Sequence, residues 1–155
     1  MSTVAGIDFS TRHIDIVLIP EDPDERGATH HAFPLEGADA FDRTRNIRQA
    51  MPLRSWWDEQ GVTAIGIEEP MGPGHITAKL KAVQGGVLQC LPSALLVHPL
   101  SPSEWRKGAG LKGNATKDEV QAFVREQLGE NPHWPQDAFD AWAIAVAVRA
   151  LVVVG

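Results

Sequence analysis

The chain has 155 residues, 43% apolar and 22% charged, which suits one soluble domain with a real core and excludes a disordered chain. Fourteen Lys and Arg against twenty Asp and Glu leave a formal charge of −6. That excludes a globally basic nucleic-acid wrapper but not a local basic patch. The one cysteine, Cys90, excludes an internal disulfide framework and a multi-cysteine zinc site; its apolar setting (VLQCLP) reads as core. Residues 1–155 are expected to form a single domain in the cytoplasm. The start MSTVAGIDF lacks a basic, long apolar leader, and the most apolar run, Ala141 to Val154, is interrupted by Arg149 and too short to span a membrane.

In chain order, residues 3–9 (TVAGIDF) and 13–19 (HIDIVLI) are short, apolar and rich in β-branched types. With Ser10, Thr11 and Arg12 between them they predict a β-hairpin. Residues 20–27 (PEDPDERG) read as a loop. A third strand over 28–35 (ATHHAFPL) suits an edge because of Pro34. A helix is predicted over 39–60 with Phe41, Ile47, Met51 and Trp57 inward; Pro52 kinks or splits it and Gly61 stops it. Residues 63–68 (TAIGIE) form the next strand.

Ile76, Leu80, Val83, Val87 and Leu91 then define one helical face. Gly85 and Gly86 inside it cost about 1 kcal/mol each relative to alanine, which implies that another backbone comes close. A fifth strand covers 94–99 (ALLVHP) and ends at Pro99. Residues 101–115 read as a polar loop. Thr116 and Glu119 have capping-box spacing and open a helix with Val120, Phe123, Val124 and Leu128 inward. The last helix starts near Pro135, runs to about residue 153, and buries Phe139, Trp142, Val146 and Ala150. The order β-β-β-α-β-α-β-α-α predicts an α/β fold with a mixed sheet and helices covering its faces.

Four carboxylates resist a purely structural account. Asp8 ends one apolar strand and Glu68 another, each with a glycine two residues earlier on the same strand face. Asp137 and Asp140, at i and i+3, share one side of the first turn of the last helix. Taken singly, each has a plain reading: Asp8 as a turn residue, Glu68 as a rim salt bridge, Asp137 as a helix-dipole partner, Asp140 as a solvated face. A buried cluster of acids is stable only if something neutralises it. Hard divalent cations with oxygen ligands do so, and two such ions support phosphodiester cleavage.

These residues lie in motifs that resemble the RuvC family of Holliday junction resolvases, which have the RNase H-like fold. GIDFSTR is similar to the family's first-strand motif and IGIEEP to its fourth-strand motif. GNATKDEVQAFV is similar to its G-x-x-x-K-x-x-V helix start, and PQDAFDAWAIAVA to its last-helix acidic signature. The resemblance runs over nearly the whole chain, in order. It implies a five-stranded sheet of three leading antiparallel and two further parallel strands. It also implies a crossover junction endodeoxyribonuclease in which Asp8, Glu68, Asp137 and Asp140 hold two Mg²⁺ ions, with Mn²⁺ as a substitute, and Lys117 sits near the scissile phosphate. The family acts as a homodimer on the two symmetric strands of a four-way DNA junction, and the glycine pair 85–86 would allow close approach at that interface. No membrane and no small-molecule cofactor beyond the metal is implied. Phe9 and Ser10 stand where the family has proline and glycine, and Met71 stands nearest the place of the family's aromatic wedge. The segment is shorter, as in a minimal, phage-type variant.

Candidate DNA contacts are Arg12, Met71, Lys79, Lys81, Arg106, Lys107, Lys112 and Lys117; phosphate contacts of this kind give affinity without sequence information. Arg43, Arg45, Arg48 and Arg54 on the first helix read equally as a solvated face. Trp105 suits base stacking or core packing. Trp56, Trp57, Trp134 and Trp142 read as core or interface, and His30 and His31 as strand surface. The competing functions are a general branched or flap DNA nuclease of the same fold, a catalytically silent junction-binding module that needs no metal, and a small actin-like phosphotransfer domain. GIDFS resembles the first phosphate loop of that last class, but the chain is too short for its two lobes.

Overall fold

The N-terminal hairpin forms. In the computed structural model, which describes residues 2–21, 27–129 and 133–154 (backbone alone at 76 and 154), β1 (Thr3–Phe9) and β2 (His13–Pro20) pair antiparallel, with Asp8 opposite Asp15 and Gly6 opposite Val17. Ser10 fixes the turn. Its Oγ accepts from the backbone N–H of Arg12 at 3.0 Å and of His13 at 3.2 Å, and its own N–H donates to the His13 carbonyl at 2.9 Å. Of the loop expected over 20–27, residues 22–26 lie outside the described residues.

β3 (Thr29–Pro34) pairs antiparallel with β2, β4 (Val62–Glu68) parallel with β1, and β5 (Leu96–Leu100) parallel with β4. The order β3-β2-β1-β4-β5 is the mixed five-stranded sheet that was expected. Pro34 and Pro99 both fall on edge strands, where a missing donor is tolerated; β5 therefore continues through Pro99 to Leu100.

Alternation of side chains splits the core in two. Val4, Val17, Ile19 and Ala64 face α5 (Pro102–Gly108), α6 (Lys117–Leu128) and α7 (Gln136–Val154). Ile7, Ile14, Ile16, Ile65 and Ile67 face the other layer, built from α1 (Ala40–Arg45), α2 (Ile47–Ala50), α3 (Arg54–Glu59) and α4 (Gly74–Gln89). Each of these valines and isoleucines stabilises the fold by about 1.5–3 kcal/mol. No helix among the described residues is long and apolar enough to cross a membrane.

Helix α7 is apolar on nearly every side and lies buried across the sheet. Two glycines let it come that close. A Cβ on Gly6 would lie 1.9 Å from the Ala141 carbonyl oxygen and 2.6 Å from the Ala145 nitrogen. One on Gly66 would lie 2.3 Å from a Val148 methyl and 2.8 Å from an Ile144 methyl. Arg149, near the far end of α7, donates to the carbonyls of Ile19 and Pro20.

Four expectations need correction. The helix over 39–60 is three short helices, broken at Asn46 and at Pro52; Ile47, Met51 and Trp57 are buried, but Phe41 is 71% exposed. The segment 101–115 is not all loop. It contains α5, opened by a complete capping box between Ser101 and Glu104 with proline at the start, whereas Thr116 makes only half of one with Glu119. Among the described residues of this chain no backbone approaches the glycine pair in α4: Gly85 faces open space, where a second copy could come close, and a Cβ on Gly86 would meet the Ile47 side chain at 2.7 Å. Ala150, expected inward, is exposed. In α4 itself Val83 and Val87 are buried as expected, Leu91 is buried just beyond its end, and the Ile76 side chain lies outside the described residues.

Candidate functional site

The register of α7 on the sheet brings the acids together. Asp137, Ala141 and Ala145 follow one another at intervals of four, as do Asp140, Ile144 and Val148. Four helical residues advance about 6 Å, close to the roughly 6.7 Å of two strand residues. Where Ala141 sits over Gly6 and Ile144 over Gly66, the acids one turn earlier reach the level of Asp8 and Glu68, two residues further along β1 and β4. Carboxylate oxygens of Asp8, Asp137 and Asp140 lie within 4.8 Å of one another. Glu68 is outside that trio but close enough to couple electrostatically with Asp8, Asp140 and Asp137.

Crowding raises the acids' affinity for protons. Burial first, then the charges of Glu68, Asp140, Asp137 and Asp15, hold the Asp8 carboxyl well above its usual 3.8. Asp140 is pushed up to about 7 by burial, Glu68 and Asp137, against the opposing pull of Lys117 and Arg106. Glu68 is also raised, chiefly by burial, and is partly relieved by a hydrogen bond from Trp105. An oxygen-only donor set of mutually repelling carboxylates fits a hard divalent cation.

Two supports for Glu68 were not legible as such. The Trp105 indole N–H donates to Glu68 Oε2 at 3.1 Å, and the ring is fully buried, so Trp105 packs in the core and does not offer a face to a base. Gln84, buried on α4, donates to the Glu68 carbonyl at 3.1 Å and to Glu69 Oε2 at 2.9 Å. Both partners lie far away in sequence, and nothing in the pattern of either segment marks them.

The basic residues divide. Lys117 opens α6, is exposed, and acts electrostatically on Asp140 and Glu68; its carbonyl accepts from Gln136, which ties α6 to the start of α7. Arg106 is half-buried, lies over the Trp105 ring at 5.1 Å and donates to the Gly113 carbonyl at 3.3 Å, while its buried Nε has no partner. Its charge acts on Glu68 and Asp140. Lys107 and Lys112 are exposed around the same loop, Arg12 is exposed in the β1–β2 turn, and Met71, 66% exposed, stands in the loop after Glu68. Lys79 and Lys81 are exposed on α4, the layer on the opposite sheet face. Arg43 donates through Nε to the Thr11 carbonyl at 2.8 Å and so anchors the hairpin turn.

A second group adjoins the acids. Asp15, buried, receives His13 Nδ1 at 2.6 Å and His30 Nε2 at 2.7 Å, and His13 Nε2 lies 3.1 Å from Asp137 Oδ2. His30, read as strand surface, is instead half-buried in this network. The signal available was an acid inside the apolar strand HIDIVLI, which hairpin pairing sets opposite Asp8.

No family model matches the chain. The crossover junction endodeoxyribonuclease RuvC of Corynebacterium diphtheriae is 33% identical over 107 residues, covering 66% of this chain and 65% of that protein. The RuvC of Corynebacterium efficiens is 31% identical over 114 residues, covering 70% and 51%. The match thus spans less than two thirds of these relatives. The solved structure of Thermus thermophilus RuvC in complex with Holliday junction substrate superposes with a TM-score of 0.71 at 20% identity, covering 99% of this chain and 96% of that one. The chain has homologues among the RuvC crossover junction endodeoxyribonucleases and shares their RNase H-like fold.

Proposed function

We propose that this chain is a structure-selective endodeoxyribonuclease that cleaves four-way DNA junctions by hydrolysing phosphodiester bonds with two divalent cations, Mg²⁺ or Mn²⁺ in its place. The observation that carries this reading is the convergence of Asp8, Asp137 and Asp140 within 4.8 Å, with Glu68 coupled to them, from three distant segments. Divalent cations at such a site supply an activated water and charge stabilisation for the leaving oxygen.

The chain's own residues do the rest. Asp8, Glu68, Asp137 and Asp140 are the ligand set. Trp105 and Gln84 hold Glu68 in place from its side chain and its backbone. Lys117, exposed beside the acids, meets the scissile phosphate. Arg106 offsets charge from within the wall, and Arg12, Met71, Lys79, Lys81, Lys107 and Lys112 track the DNA arms. One domain carries one site, so paired cuts on two symmetric strands call for two copies. A flap or general branched-DNA nuclease is the second reading, favoured by the exposed Met71 where the resemblance leads one to expect an aromatic wedge.

The test uses end-labelled four-way junction, flap and linear duplex, each with and without Mg²⁺. Symmetric paired nicks in the junction alone are expected, and Asp8→Asn should abolish them while junction binding persists. Nicks in the flap alone would favour the second reading. Cleavage without metal, or by Asp8→Asn at the wild-type rate, would refute the site assignment.

A further inference from the structure

We propose that His13, tethered by Asp15, is a positioning residue that fixes the Asp137 carboxylate and thereby sets the cation affinity of the acid cluster. The inference rests on the reading of that cluster as a cation site.

Asp137 needs such a hold. It lies in the first turn of α7 with its side chain 34% exposed, so its carboxylate is free to turn unless something grips it. Both ring nitrogens of His13 lie within hydrogen-bond distance of carboxylate oxygens: Nδ1 is 2.6 Å from Asp15 Oδ2 and Nε2 is 3.1 Å from Asp137 Oδ2. Asp15 is itself immobile, its side chain 3% exposed and held from the other side by His30 at 2.7 Å. The His13 backbone is fixed by the Ser10 turn at 3.2 Å. A relay therefore runs from β3 through β2 to the first turn of α7 and ends on Oδ2 of Asp137. A fifth carboxylate beside Asp8 adds repulsion. Its place on a buried strand makes physical sense if it serves to orient His13. Partners one step removed from a metal ligand commonly change metal affinity about 10–100-fold when lost.

Calorimetric titration of Mn²⁺ into the metal-free full chain tests this, with thermal unfolding of each variant as the fold control. His13→Ala is expected to weaken Mn²⁺ binding about tenfold or more while the metal-free chain still unfolds cooperatively, at a lower temperature because Asp15 loses a partner. His13→Gln, whose amide still donates to Asp137, is expected to restore most of the affinity, and Asp15→Asn to fall between. Wild-type affinity in His13→Ala would overturn the inference alone. Loss in His13→Ala without rescue by His13→Gln would also overturn it, by making His13 a ligand in its own right. Absence of Mn²⁺ binding in the wild type would overturn the cation-site reading beneath it.

Discussion

Removing one charge from the acid cluster should stabilise the protein when no metal is present. Asp140 takes up its proton at about 7 instead of 3.8, because burial, Glu68 and Asp137 all oppose its ionised form. A rise of that size corresponds to about 4 kcal/mol against the folded, ionised state. Asp140 is only half-buried, and discounting for solvent screening leaves about 2 kcal/mol. Its folded state binds the proton more tightly than the unfolded chain does. The associated stability is therefore complete below 3.8 and is lost as pH rises through about 7. Asp140→Asn, nearly the same shape but neutral, escapes that loss. In EDTA at about pH 8 it should be more stable than wild type by about 2 kcal/mol, raising Tm by roughly 4–8 °C for a chain of this length. At about pH 5 most of the advantage should vanish. Saturating Mg²⁺ should then reverse the order, since a ligand at 100 times its Kd stabilises by about 2.7 kcal/mol and the variant has lost a ligand. Scanning calorimetry at both pH values, with and without metal, measures all of this. A variant no more stable than wild type in EDTA at the higher pH, or equally advantaged at both, would refute the account of mutual repulsion.

Two glycine substitutions should act with opposite sign. Gly6→Ala drives a Cβ into the α7 backbone and should cost about 3 kcal/mol or more in urea unfolding, whereas Gly85→Ala, with nothing nearby, should gain about 0.5–1 kcal/mol; the reverse order would undo the packing argument. Trp105→Phe deletes the donor that lowers the Glu68 carboxyl's proton affinity. The acid limb of the cleavage pH profile should therefore move to higher pH, and an unmoved limb would show that the indole does not tune Glu68.

Local pattern was enough for elements whose signal is local. Short apolar runs rich in β-branched residues placed β1 and β2, and the apolar run from Ala141 identified α7 as a buried helix, because strand preference and burial are dictated within a few residues. The same rule failed at α5: Pro102, Gly108 and Gly110 look like loop composition, although proline opens a helix well and the capping box at Ser101 and Glu104 was there to be read. It failed at the 39–60 segment too, where Phe41 keeps helical spacing but belongs to a separate short helix that leaves it in solvent.

The four acids could be singled out from the sequence because a carboxylate at the end of an apolar strand, or paired on an apolar helix, conflicts with its surroundings. That Asp8, Asp137 and Asp140 meet within 4.8 Å was decided by the seating of α7 on Gly6 and Gly66, a contact between segments more than seventy residues apart. The supporting groups, Trp105, Gln84 and the His30–Asp15–His13 relay, acquire their roles solely from what lies across from them in space. A side chain's chemistry is written in its own position. Its partner is chosen by packing, and no local periodicity encodes that choice.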